Sequence, residues 1–258
     1  MFAYVLLLLA VVAVIVWLRH TRGTCRIVSA HVINMDKSKD RLAEFQKKAA
    51  AAGLTVTRWA GVNGAALSIG DAEEKGIPNE IYTRMEKQKG VLGCYLAHKT
   101  LLDSLRTMDC APSDVHLIFE DDAEIPADFF QKWESTCAVL PAEWDGIQLG
   151  VSRPRLLPFH GHVHRPSTEL GNWGLFAYAI RHAALPKICN DLKTMRAPVD
   201  SHFQQNMQAW RWFICYPEVV PHDFEFESGT TGKFYNKTEI EIAKSDKTIK
   251  RQPPSGAV

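Results

Sequence analysis

The segment that most constrains the fold is Val115–Phe119 (VHLIF), which runs directly into Glu120-Asp121-Asp122 and then Ala123-Glu124. An almost continuous apolar run of this length fits a strand covered on both faces, as in a sheet sandwiched between helices. A row of acids at its carboxyl end is a different matter. In open α/β sheets ligands bind in the crevice beyond the carboxyl ends of the strands. Three adjacent carboxylates repel one another there unless a cation or a helix N-terminus offsets them.

The flanking sequence supports a layered α/β sandwich. Ile27–Asn34 (IVSAHVIN) is rich in β-branched residues and predicts a strand. Lys37–Ala52 follows with Leu42, Phe45 and Ala49 at helical spacing, closed by Gly53. Thr55–Trp59 predicts a second strand, Val91–Met108 a helix, Ala127–Leu140 a helix and Gly146–Leu149 a strand. From Val151 to Gly174 the pattern dissolves into Pro, His, Gly and Ser, which predicts a long loop. Leu175–Ile180 resumes as a strand, His182–Met195 and Val199–Trp210 as helices, and Trp212–Tyr216 as a last strand. Strands separated by helices imply an α/β fold with a mostly parallel central sheet. An apolar content of 46% suffices for a full core, and a formal net charge of +1 speaks against a nucleic-acid binder.

The amino terminus carries a second strong feature. Phe2–Leu18 is a run of about 17 residues without a charge, roughly the minimum for crossing a bilayer, which ends in Trp17-Leu18 and runs into Arg19-His20 rather than a small-residue cleavage site. This predicts an uncleaved transmembrane anchor over residues 1–20, a linker over 21–26, a catalytic domain over 27–243 and a disordered polar tail over 244–258. The expected location is a single-pass membrane, endomembrane or inner. The side is left open, because Arg19, Arg22 and Arg26 favour a cytoplasmic body while the sequon Asn236-Lys237-Thr238 favours a lumenal one. Six cysteines are scattered without a CxxC pair and do not decide the matter.

Oxygen-only ligands of the kind offered by Glu120, Asp121 and Asp122 suit Mn²⁺ or Mg²⁺. The alternative is that acids ahead of Pro126 complement the dipole of the following helix. His160, His162 and His164 alternate in HGHVH and could share one strand face and hold Zn²⁺, though a mobile loop contacting substrate explains them as well. Cys94 is expected to be a small buried hydrophobe, since the sequence places nothing basic beside it.

Several segments in order resemble glycosyltransferase family 25, the group that includes bacterial lipooligosaccharide galactosyltransferases and collagen galactosyltransferase domains. They are VINMDKSKDRLAEF, RWAGVNG, GVLGCYLAHKTLL, LIFEDDAEI, WDGIQLG, NWGLFAYAI and PVD, spread between Ile27 and Ser228. Met35 stands where the family usually has Leu, and Ala97 where it more often has Ser. The resemblance implies a GT-A-like nucleotide-diphospho-sugar transferase fold. It also implies metal-dependent, inverting transfer of a hexose, galactose before glucose, from a UDP-sugar to a glycan or glycoconjugate acceptor.

By the same resemblance, Glu120 and Asp122 would hold Mn²⁺ or Mg²⁺ against the diphosphate of the donor. Asn34, Asp36, Arg41, Asn63, His98 and Asp121 would border the donor, and His222 and Asp223 lie in a late loop where such enzymes can place a further metal or phosphate ligand. An inverting transfer needs a base for the acceptor hydroxyl, for which Asp200 is the first candidate and Asp145 the second. Trp173, in Gly171-Asn172-Trp173-Gly174, is suited to stacking on an acceptor sugar. Arg41 and Asp200 have plainer readings as an ion-pair partner and a helix cap, and Asn63 as an ordinary Asn-Gly turn. Two other functions remain open from the residues: an inactive, glycan-binding relative, and a metal-dependent phosphohydrolase using the same acids.

Overall fold

A computed structural model describes residues 25–169 and 171–222. Among these residues eight strands form one sheet: β1 (Ile27–Asn34), β2 (Thr57–Ala60), β3 (Val115–Glu120), β4 (Gly146–Gln148), β5 (Leu156–His160), β6 (Val163–Pro166), β7 (Ala177–Arg181) and β8 (Trp212–Cys215). Their order across the sheet is β2-β1-β3-β7-β4-β8-β6-β5. The helices are α1 (Lys39–Ala51), α2 (Ile69–Glu74), α3 (Asn79–Arg84), α4 (Lys89–Leu105), α5 (Phe129–Cys137), α6 (Leu185–Asp191) and α7 (Val199–Asn206).

Strand β3 lies in the middle of the fold, as its composition requires. Val115, Leu117 and Phe119 face one core with Phe45 and Ala49 of α1 and Phe129 and Trp133 of α5. Ile118 faces the other, with Leu92, Tyr95 and Leu96 of α4, Ile188 of α6 and Phe203 of α7. Alternation along one strand thus supplies both cores of a helix–sheet–helix sandwich. Ser68 starts α2 with a capping box: its hydroxyl accepts from the Asp71 backbone N–H at 3.1 Å, and the Asp71 carboxylate accepts in return.

Two expectations are corrected by this architecture. The sheet is mixed, not mostly parallel: β1–β2, β1–β3 and β4–β8 are parallel, whereas β3–β7, β4–β7, β5–β6 and β6–β8 are antiparallel. The reversal arises because β7 inserts between β3 and β4 running the opposite way, and because the segment expected as a loop over 151–174 holds the hairpin β5–β6. Alternating burial reports which faces are covered but not which way a strand runs.

The single-pass membrane location and the transmembrane helix are the second correction. No helix among the described residues is long and apolar enough to cross a membrane. Phe2–Leu18, on which that expectation rested, lies outside the described residues, as do Asp223, the Asn236 sequon and the 244–258 tail.

Candidate active site

The carboxyl ends of β1, β2 and β3 lie side by side, because Ile33 pairs with Glu120 and Asn34 with Ala60. This brings the acids of 120–122, the turn after Asn34 and the Gly61–Gly64 loop to one edge. Gly61 N–H donates to the Asn34 carbonyl at 2.9 Å. Gly64 and Gly93 are required by close packing: a Cβ on Gly64 would lie 1.8 Å from the Lys89 carbonyl oxygen, and one on Gly93 would lie 2.1 Å from that of Val62. The loop is thereby pressed onto the start of α4, the helix that carries His98.

The three acids point to three different surroundings. Glu120 faces α4, where His98 Nε2 lies 3.2 Å from its Oε1. With that N–H donating to the carboxylate, Nδ1 of the fully buried His98 accepts from the Tyr178 hydroxyl at 2.8 Å. Cys94, one turn before His98, places its sulfur in the same group, with ligand atoms of Cys94, His98 and Glu120 all within 4.8 Å of one another. Sequence reading missed this proximity, although the i, i+4 spacing of Cys94 and His98 on a helix carried the signal. Burial, with the charges of Glu120, Asp200 and Asp122, pushes the Cys94 thiol well above its ordinary pKa and keeps it protonated.

Asp121 turns inward. Asn34 Nδ2 donates to its Oδ2 at 2.6 Å, and Arg41 pairs with its Oδ1. Burial raises its pKa to about 6, against the lowering charge of Arg41 and hydrogen bond of Asn34. Asn34 is itself 2% exposed, and its Oδ1 accepts from Arg58 Nε at 3.0 Å. Asn34, Arg41 and Asp121, expected to touch a donor, therefore brace one another beneath the site. Arg58, which sequence reading passed over inside RWAGVNG, joins that brace and also pairs with the exposed Asp36.

Asp122 is the acid at the boundary of this brace. Its Oδ2 lies 3.2 Å from Arg41 and 3.2 Å from His222 Nε2, while its Oδ1 is buried without a hydrogen-bond partner among the described residues. Burial opposes its charge, but the His222 hydrogen bond and the charges of His222 and Arg41 outweigh it and hold the carboxyl below its ordinary range. His222 reaches the site through an isolated bridge with Ala123 and an edge-to-face contact with Phe176 at 4.8 Å.

Asp200 sits in the first turn of α7, which packs beside α4. Pro198, not Asp200, holds the N-cap position. Burial and the charge of Glu120 raise the pKa of Asp200, while the Ser201 backbone N–H and His98 lower it to a lesser degree. Trp173 is half-buried at the same edge, its backbone bridged to Ser152 just beyond β4.

Other expected residues are placed elsewhere. Asp145 stands ahead of β4, and Arg181 N–H donates to its backbone carbonyl at 3.0 Å, level with Val115 at the opposite edge of the sheet. Its carboxylate is held by Arg211 at 2.9 Å, so it is an ion-pair partner remote from Glu120. Asn63 is exposed and caps the short turn Gly64–Ala66, its Oδ1 accepting from Ala65 N–H at 3.2 Å. His160, His162 and His164 do not converge: His160 is exposed, His162 bonds to Thr136 and His164 to the Tyr216 carbonyl.

A mixed eight-stranded sheet between helices, with acids at the carboxyl edge of a central strand, is consistent with the fold of a glycosyltransferase. Residues 28–203 match Glycosyltransferase family 25 (LPS biosynthesis protein), and the chain belongs to that family. No curated protein sequence matches it.

Proposed function

We propose that this glycosyltransferase moves a hexose, galactose first, from a UDP-sugar to a hydroxyl of a glycan or glycoconjugate, with inversion. The observation that carries the reading is the buried Oδ1 of Asp122, two positions from Glu120, which has no hydrogen-bond partner among the described residues. A carboxylate oxygen withdrawn from water without a donor is costly, and a hard divalent cation is the partner such a group fits. Glu120 and Asp122 would hold Mn²⁺ or Mg²⁺, which when bound neutralises charge on the diphosphate leaving group.

The remaining roles fall to the chain itself. Arg41 and His222 fix the Asp122 carboxylate, and His98, backed by Tyr178, orients Glu120. Asp200, made more basic by burial, takes the proton of the acceptor hydroxyl. Trp173 offers a flat face to the acceptor ring.

The test is UDP release from UDP-galactose with Mn²⁺, with and without glycan acceptors, and again in excess chelator. Acceptor-stimulated, chelator-sensitive release is expected. Phosphate release from simple esters without an acceptor would favour a phosphohydrolase, and UDP release indifferent to chelator would remove Glu120 and Asp122 from the metal role.

A further inference from the structure

At the edge of the sheet opposite the candidate active site, a thiol and two imidazoles meet. We infer that Cys110, His116 and His182 form a binding site for a borderline-soft transition metal ion, Zn²⁺ foremost, which ties β3 and β7 to the loop after α4. One ligand atom from each residue lies within 4.8 Å of the other two. The facing nitrogens, His116 Nε2 and His182 Nδ1, are 3.1 Å apart. Tetrahedral Zn²⁺ with Zn–N distances of about 2.0–2.1 Å needs its nitrogen ligands roughly 3.3 Å apart, so little movement is required.

The fold builds this arrangement from three separate places. His116 is the second residue of β3 and pairs with Ile180 of β7, which puts His182, just past the end of β7, beside it. His182 N–H donates to the Asp114 carbonyl at 2.8 Å and Ala183 N–H to that of Pro112 at 3.1 Å, holding the Cys110-bearing loop against β7. Asp114 is in turn clamped by Arg26, with contacts of 2.9 and 2.7 Å, and accepts from Ala111 N–H at 2.9 Å.

His116 Nδ1 lies 2.8 Å from the Ser29 hydroxyl, and with Nδ1–H donating there, Nε2 turns its lone pair toward His182. A second hydrogen bond from the remaining ring nitrogen is the usual way a ligating His is oriented. His31, two residues along β1 from Ser29 and on the same face, has both ring nitrogens buried without a hydrogen-bond partner among the described residues. Thiolate with imidazole suits Zn²⁺, for which Co²⁺ can stand in as a spectroscopic probe, in contrast to the oxygen ligands of Glu120 and Asp122. Three protein ligands leave a fourth position for water.

Co²⁺ added to the chelator-stripped full-length protein is the probe. A thiolate-to-cobalt charge-transfer band with the intense ligand-field bands of tetrahedral Co²⁺ is expected at one equivalent, displaced by Zn²⁺ and untouched by excess Mg²⁺. Cys110→Ser, at a half-buried loop position, should abolish the charge-transfer band. His182→Gln should weaken Zn²⁺ affinity at least tenfold, and Cys25→Ser should leave both unchanged. Zn²⁺ should raise the melting temperature of the parent but not of Cys110→Ser. Absence of the band, its survival in Cys110→Ser, or its loss only in Cys94→Ser would overturn the inference. The last outcome would move soft-metal binding to the Cys94–His98–Glu120 group.

Discussion

Asn34 donates to Asp121 at 2.6 Å across 87 positions of sequence, both side chains buried, and Arg41 closes the pair from the next turn. This contact locks the end of β1 to the end of β3. Glu120 and Asp122, on either side of Asp121, turn to different neighbours, Glu120 to His98 and Asp122 to Arg41 and His222.

Breaking that lock should be costly. The side chains of Arg41 and Asp121 are 16% and 8% exposed, so Arg41→Leu strands a buried carboxylate and should destabilise the protein by about 3–5 kcal/mol. Urea unfolding measures this. The double variant Arg41→Leu/Asp121→Leu should recover part of the loss, and equal or greater destabilisation of the double variant would show that the pair is not what holds the strand ends together.

Asp122 and Asp200 should fail in different ways. Asp122→Asn removes a charge from the acid proposed to hold the cation, so calorimetry with Mn²⁺ should show UDP affinity falling more than about tenfold, or 1.4 kcal/mol. Asp200→Asn should leave UDP affinity intact while transfer drops by roughly 10²–10⁴. Transfer near the parent rate would reduce Asp200 to a half-buried acid of the first turn of α7, with no base role.

Gly93 is a packing requirement of the site. An added Cβ would meet the Val62 carbonyl oxygen at 2.1 Å and the Gly64 nitrogen at 2.8 Å, both backbone atoms that cannot rotate away. Gly93→Ala should cost about 1–3 kcal/mol in urea unfolding. An unchanged midpoint would mean that the loop over 61–64 can lift from α4 without penalty.

His202 sets an acid limb of stability. It is 1% exposed, and burial, aided by the charge of Arg196, outweighs the opposing backbone carbonyl and carboxylate of Asp191 and lowers its pKa from the ordinary 6.5. The folded state therefore resists a proton that the unfolded chain accepts. The contribution of His202 is constant above pH 6.5, and stability falls as the pH drops below that value toward the lowered folded pKa. His202→Phe should flatten this part of the urea midpoint–pH curve, and an unchanged slope would assign the acid limb to other groups.

Much of the frame was legible from periodicity. Ile27–Asn34, Val115–Phe119 and the helix bearing Leu92, Tyr95 and Leu96 appear where their apolar spacing placed them. The hairpin β5–β6 was not legible, because Pro158, Gly161 and the histidines obscure alternation in strands whose outer positions are exposed. Within the site, the acid triplet was visible as a row, but the division of labour among its members was not. Asp145 stood second to Asp200 as a candidate base in sequence, and strand register places it at the opposite edge of the sheet.

What the sequence determined by itself is local: the buried central strand, the acids at its end, the glycines and the ordered segments that mark the family. Those follow from side-chain size, charge and spacing, which act within a few residues. The tertiary structure alone decided the direction of β7, the inward turn of Asp121 and the meeting of Cys110, His116 and His182. Each of these depends on which strand edges pair, and pairing is settled by burial of both sheet faces at once, a quantity that belongs to the whole chain rather than to any segment of it.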